Sequence, residues 1–236
     1  MADIFALNPA ARVSLMRIGQ EGQPVAVVDA LLANPASLVD LAGDGSGFSP
    51  DPGNFYPGLR LALPQAYGAA LADFVNAFLR DHFQIKVGLC CVPVMAALSI
   101  ACTPPQALAP IQSIPHFDTS AADQLAAVHY LCAPDHGGTA FYRHRASGFE
   151  AVTDDRSQAY GKALARQASS HGLPPPGYIN GDSALFAQTA RIDAAFNRAV
   201  FYPSNILHAG CIDAGKGLSA DPRSGRLTAT SFLRIE

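Results

Sequence analysis

From Ile85 onward the apolar residues of this chain come in short runs, each closed by proline, glycine or a polar turn cluster. Ala126-Ala127-Val128-His129-Tyr130-Leu131, Thr139-Ala140-Phe141-Tyr142, Ala199-Val200-Phe201-Tyr202 and the stretch Arg226 to Leu233 read as strands. Turn residues separate them, at Asp135-His136-Gly137-Gly138 and Pro203-Ser204-Asn205. With 20 Gly and 18 Pro in 236 residues, turns are frequent enough for many short strands. The pattern predicts a mainly β protein.

Upstream the texture is mixed. Gln23 to Val28 reads as a strand, followed by a helix through Leu31, Leu32, Leu38 and Leu41, with Asn34-Pro35 suited to a helix start. A Gly/Ser/Asp/Pro connection runs from Gly43 to Gly53. Ala70, Leu71, Phe74, Val75, Phe78 and Leu79 fall at helical spacing within 63–83. Two helices are thus expected to pad the outside of a sheet. Strands are expected at Ile85–Val94 and Val94–Cys102, before a proline-rich break at 104–110. Residues 145–180 form a polar insertion, helical around 156–170, that serves either as a lid or as a plain surface excursion. Residues 185–196 are ambiguous between strand and helix. No repeat or linker divides the chain. One domain is expected over 1–236, with 1–84 as helical and strand support for a core at 85–236.

Composition excludes several classes. Hydrophobic residues make up 49% and charged residues 15%, so a large core is available. A net charge of −3 with 16 scattered basic residues offers no track for a phosphate backbone. Val87 to Cys102, the longest uncharged run, carries Pro93 and falls short of the ~20 residues of a spanning helix. Met1 to Gln20 lacks a signal peptide's apolar segment. The five cysteines form no C-x-x-C pair and read as buried free thiols. A cytoplasmic protein without nucleic-acid or membrane partners is expected, its oligomeric state open and a homodimer among the options.

Chemistry concentrates in Ile114-Pro115-His116-Phe117-Asp118-Thr119-Ser120. On a strand, His116 and Asp118 would point to the same face and present a nitrogen beside a carboxylate oxygen. That is two-thirds of a 2-His-1-carboxylate facial triad, the arrangement that holds Fe(II) with positions left open. H-x-D alone is a weak signal. Among seven histidines, His208 is the best placed third donor, after an apolar strand and a tight turn. The competing reading is a core histidine bonded to a carbonyl.

Arg226 opens a strand whose alternate residues Arg226, Thr228 and Thr230 share one face. A guanidinium turned into a core needs a partner, and no acid in that segment supplies one. A ligand carboxylate would suit its planar fork. Arg223, in the Gly/Ser/Asp loop 213–225, is a rival in a weaker setting. The basic stretch Arg143-His144-Arg145 is either a substrate contact or a solvated charge run.

Taken in order, these pieces resemble the Fe(II)/2-oxoglutarate-dependent oxygenases, especially the prolyl 4-hydroxylase-like branch. Pro115-His116-Phe117-Asp118 is similar to that family's H-x-D. His129-Tyr130-Leu131 with Gly137-Gly138-Thr139-Ala140-Phe141 is similar to its YYL…GG-x-x-F hairpin. Phe201-Tyr202-Pro203-Ser204 leading to His208 matches its FPS…H segment, and Arg226 to Phe232 its final arginine strand. The resemblance covers about 110–236. It implies a double-stranded β-helix, the cupin-like jelly roll, with the N-terminal helices packed on one sheet. It implies iron on His116, Asp118 and His208, and 2-oxoglutarate held by Arg226 with help from Tyr130, Thr228 and Thr230. The implied activity is dioxygenation, a hydroxylation of a small-molecule or peptide substrate that yields succinate and CO2. Asp118 speaks against the halogenating relatives, which place a small residue there. The alternative is a non-catalytic cupin-like protein that binds a metal or ligand on the same fold.

Overall fold

The computed structural model describes residues 4–51, 55–172, 174–216 and 218–236, and the side chains of all of these except His171 and Lys216. Part of the connection from Gly43 to Gly53, and single positions of the 145–180 and 213–225 segments, therefore lie outside the described residues.

In chain order the strands are β1 (Arg12–Ile18), β2 (Gln23–Asp29), β3 (Gly58–Ala62), β4 (Cys91–Ala101), β5 (Gln124–Tyr130), β6 (Thr139–His144), β7 (Phe186–Ile192), β8 (Arg198–Pro203), β9 (His208–Gly210) and β10 (Arg226–Ile235). The helices are α1 (Ala36–Ala42), α2 (Gln65–Phe74) and α3 (Asp154–His171). Seven strands form one antiparallel sheet in the order β1-β2-β8-β5-β10-β4-β3. Three form a second in the order β7-β6-β9. A bridge between His116 and His208 adds one residue to the free edge of β9.

Period-two alternation decides what each face of the large sheet carries. Leu227, Ala229 and Leu233 of β10, with Leu125 and Ala127 of β5, pack with Tyr67, Leu71, Phe74 and Val75 of the α2 region. Exposing any one of the larger side chains again costs about 1.5–3 kcal/mol, so the sheet and helix hold each other. The opposite face, carrying Arg226, Thr228, Thr230 and Phe232 from β10 and Ala126 and Val128 from β5, lines a cavity. The helices thus pad one face and leave the other to the cavity.

Several expectations require correction. The two strands expected over 85–94 and 94–102 are one: residues 80–84 and 87–88 are turn, and β4 runs from Cys91 to Ala101. Pro93 lies within β4 beside a bulge between Phe232 and Leu233 of β10, where the missing N–H costs the ladder least. The helix over 63–83 is α2 continued by one π-turn, Val75–Leu79. The wider turn rotates the pattern, so Leu79 is buried while Phe78 is 66% exposed. Strands β1 and β3 had no recognised signal, and 185–196 resolves to β7. Among the cysteines, Cys91, Cys132 and Cys211 are buried and unpaired, but Cys90 is exposed. Among the described residues no helix is long and apolar enough to cross a membrane.

Candidate functional site

His116 and His208 are held abreast by backbone. The His116 N–H donates to the His208 carbonyl at 2.9 Å and the His208 N–H donates to the His116 carbonyl at 2.8 Å. The reciprocal pair brings the two rings to a centroid distance of 4.4 Å. The expected H-x-D strand is only this bridge; Asp118 sits in a bend. Its N–H donates to the Ser204 carbonyl at 2.8 Å, and the Ser204 N–H donates to the Gln124 carbonyl at 2.9 Å. Anchoring to the loop after β8, rather than strand alternation, turns Asp118 beside the histidines.

The Asp118 carboxylate lies 3.9 Å from His116 Nε2 through one oxygen and 3.8 Å from His208 Nε2 through the other. One donor atom from each of the three residues lies within 4.8 Å of the other two. Bonds of about 2.0–2.3 Å to a shared ion place donors roughly 3–4 Å apart, so the set fits a first-row metal with small side-chain adjustments. The His208 Nδ1–H donates to the Ile206 carbonyl at 2.9 Å, which leaves the Nε2 lone pair for a ligand. His208 thus has one nitrogen on a carbonyl, as the competing reading expects, while the residue also lines the cavity.

Burial pushes the His208 pKa down to about 4; at His116, whose side chain is 48% exposed, desolvation by the surrounding wall and the neighbouring His208 act in the same direction. Burial raises Asp118 to about 6, against the attraction of His116 and Arg60. A bound cation reverses that tendency and favours the carboxylate. Neutral imidazoles beside an ionisable carboxylate are the protonation states that metal ligation requires.

These groups open on a cavity of about 570 Å³. Arg226 lines it and is 5% exposed; its Nη2 donates to the Gly138 carbonyl at 3.0 Å, and its Nε has no hydrogen-bond partner. Gly137 and Gly138 permit the close approach of the Cys211 and Ile192 backbones at this turn. A Cβ at either would overlap a backbone oxygen, that of Cys211 or Ile192, and Gly137 has φ +84°. Thr228 and Thr230 line the cavity as well. Tyr130 does not: its ring lies 5.8 Å beneath the Arg226 guanidinium, and its hydroxyl pairs with Thr139 Oγ1 at 2.6 Å. Thr139 takes its place in the wall. Arg223 is 59% exposed and lies 3.6 Å from Asp40, outside the cavity. Arg143, His144 and Arg145 bind Gln20, Gln167 and Asp182 and also stay outside the cavity.

The insertion supplies the outer wall, through Tyr160 and Leu164 of α3 and Tyr178 and Ile179 beyond it. Its start is tied to the β1–β2 turn. Glu21 accepts from Arg156 at 2.6 Å and from the Ala151 N–H at 3.1 Å, while buried Glu150 receives the N–H groups of Gln20 and Glu21 at 2.9 Å each. Arg60, Tyr56 and Thr139 also line the cavity, and sequence reasoning missed them. The signal for Arg60 was available: one cation in the apolar run Gly58-Leu59-Arg60-Leu61-Ala62, the same sign that picked out Arg226.

A family model, described as Family of unknown function (DUF6445), matches residues 9–233. The chain belongs to that family. No curated protein matches it. Among solved structures, this DUF6445 member is similar to AviO1 from Streptomyces viridochromogenes Tue57, with 12% identity over 98% of this chain and 91% of that one and a TM-score of 0.44. It is similar to HygX from Streptomyces hygroscopicus, solved with nickel and 2-oxoglutarate bound, with 10% identity over 91% and 84% and a TM-score of 0.46. EctD from S. alaskensis, solved with bound Fe, gives 13% identity over 98% and 87% and a TM-score of 0.42. These are distant likenesses.

Proposed function

We propose that this DUF6445 member is an Fe(II)- and 2-oxoglutarate-dependent dioxygenase that hydroxylates a small-molecule or peptide substrate. Its fold is read as one cupin-like double-stranded β-helix domain, nearest the prolyl 4-hydroxylase-like branch, and its unpaired thiols suit a cytoplasmic setting. The observation that carries the reading is the meeting of three donors, from His116, Asp118 and His208, in the cavity that also holds Arg226. Among the described residues no acid pairs with that guanidinium. Iron bound there would supply the redox chemistry that couples decarboxylation of 2-oxoglutarate to oxidation of a C–H bond.

The chain's residues divide the remaining work. His208 offers Nε2 because Ile206 holds its other nitrogen. Asp118 brings the negative charge that two imidazoles lack. Arg226, with its unpartnered Nε, grips the distal carboxylate of 2-oxoglutarate, and Thr228 and Thr230 stand on the same face. Tyr130 fixes the guanidinium from below and sets Thr139 through its hydroxyl. Tyr160, Leu164 and Ile179 exclude water from the outer side, so residues 145–180 act as the lid. The test is succinate formation from 2-oxoglutarate with Fe(II) and O2, in wild type and Asp118→Ala. Fe(II)-dependent succinate lost in the variant supports the reading. Metal binding without any succinate leaves the non-catalytic cupin-like alternative.

A further inference from the structure

A second guanidinium faces the cavity from another strand. Arg60 lies at the centre of β3 opposite Ser99 of β4, and Ser99 lies opposite Thr228 of β10. Arg60 and Thr228 thus belong to one row across the large sheet and line the same space. The Arg60 side chain is 13% exposed and its Nε is buried without a hydrogen-bond partner. Asp51 stands 4.0 Å from its Nη1, beyond hydrogen-bond reach, and is itself 45% exposed. Beneath the guanidinium lies the Tyr56 ring, at 5.0 Å. A ring face attracts the charge without engaging the N–H donors, so those donors remain available.

Charge accounting separates the two arginines. With the proposed function as the starting point, the charges of a divalent ion, Asp118, the two carboxylates of 2-oxoglutarate and Arg226 cancel. Arg60 then has the half-exposed Asp51, at 4.0 Å, as its counter-charge, and its buried Nε stays unsatisfied unless a further anion enters. Much of the surrounding lining is apolar. Phe55 and Ile111 stand at the cavity with 70% and 41% of their surface exposed, and Ile114, Phe117 and Leu164 continue the wall inward.

We infer that Arg60 receives a carboxylate of the substrate, and that the substrate is a small organic acid with an apolar body. The planar fork binds the acid end while the body lies along Phe55, Ile111 and Phe117, which presents a C–H bond toward His116, Asp118 and His208. This rests on the oxygenase reading and adds a substrate class to it.

The experiment uses the full chain loaded with Zn(II) and saturating 2-oxoglutarate, which cannot turn over. Calorimetry then compares 4-phenylbutyrate with its neutral twin 4-phenylbutyramide. Wild type should bind the acid at least about 10-fold more tightly than the amide, the scale of one charge-assisted contact. Arg60→Gln should bind both alike. Arg60→Lys, which retains a charge in the wall and guards against a folding defect in the first variant, should keep about a 3-fold preference, because a point charge lacks the fork. In both variants 2-oxoglutarate affinity should shift by less than about 3-fold, since Arg226 anchors it. No preference in wild type, or a full preference kept in both variants, overturns the inference and leaves the oxygenase reading standing. A loss of 2-oxoglutarate binding in Arg60→Gln also overturns it, by making Arg60 the cosubstrate anchor. Failure of wild type to take up Zn(II) and 2-oxoglutarate overturns both.

Discussion

Two histidine-containing networks lie on opposite sides of the large sheet, and they differ in where their ring nitrogens go. On the helix side, His129 Nδ1 meets the Tyr67 hydroxyl at 3.0 Å and Nε2 meets Asn197 Oδ1 at 3.1 Å. Asn197 in turn donates to the Leu32 carbonyl and accepts the Leu32 N–H, so the chain of bonds closes within the protein. On the cavity side, His208 satisfies one nitrogen and presents the other to Asp118 at 3.8 Å, with no hydrogen bond between them. Burial depresses both His129 and His208 to about 4. A shifted pKa therefore does not distinguish a histidine closed into the core from one that faces a cavity. The accounting of partners does: buried polar groups in a finished network hold the fold, and donors left facing open space await a ligand.

The sharpest way to break this contrast is at the carboxylate. Asp118→Ala should weaken Fe(II) or Zn(II) binding by more than about 100-fold and remove succinate formation, because second-shell changes alone reach 10- to 100-fold and this removes a ligand. Its melting temperature in the metal-free state should stay near that of wild type. His136→Ala, in the turn before β6, should leave metal binding intact. Equal losses from both, read by calorimetry and assayed for succinate, would make the effect one of stability.

The mirror experiment is His129→Leu. It strands the Tyr67 hydroxyl and Asn197 in the core and should cost about 2–4 kcal/mol in urea unfolding, with metal affinity unchanged once the variant is folded. A pH series sharpens it. Because the folded pKa of about 4 lies below the ordinary histidine value of 6.5, the neutral form is the one the fold favours. The stability His129 contributes is full above pH ~6.5 and lost as pH falls through ~4, a change of about 3 kcal/mol. The gap between wild type and His129→Leu should narrow over that window. A gap that widens as pH falls would show that His129 is charged in the native state.

Smaller effects are expected around the anchor. Arg226→Lys keeps the charge and loses the two-pronged geometry, so 2-oxoglutarate affinity should fall about 10- to 100-fold, or ~1.4–2.8 kcal/mol. Metal affinity should barely move. Arg223→Lys, at the surface beside Asp40, should change neither. Last comes Tyr130→Phe. Its hydroxyl meets Thr139 and not the cavity, so the loss of cosubstrate affinity should stay within about 5-fold, and a stability loss near 1 kcal/mol should accompany it. A cosubstrate loss equal to that of Arg226→Lys would mean the hydroxyl turns to the ligand when the site fills.

Local rules made much of this legible in the chain. Alternation along Arg226–Leu233 sorted one face of β10 from the other, and turn residues bounded β5, β6 and β8. His116, Asp118, His208 and Arg226 announced themselves by chemistry: donors and a cation set among apolar neighbours. Other features depended on which strands lie side by side, and no local pattern encodes that. Arg60 enters the cavity because β3 pairs with β4 and β4 with β10, and that register sets it in a row with Thr228. Tyr130 stands opposite Thr228 yet spends its hydroxyl on Thr139, which the turn after β5 folds back against it. Arg223 and Arg226 are three residues apart, and only the start of β10 decides that one reaches Asp40 and the other the cavity. Backbone preference and hydrophobic period act over a few residues and are written in the sequence. Where a side chain finds its partner is fixed by sheet order and by hydrogen bonds such as those between His116 and His208, which join segments far apart in the chain and exist only once it has folded.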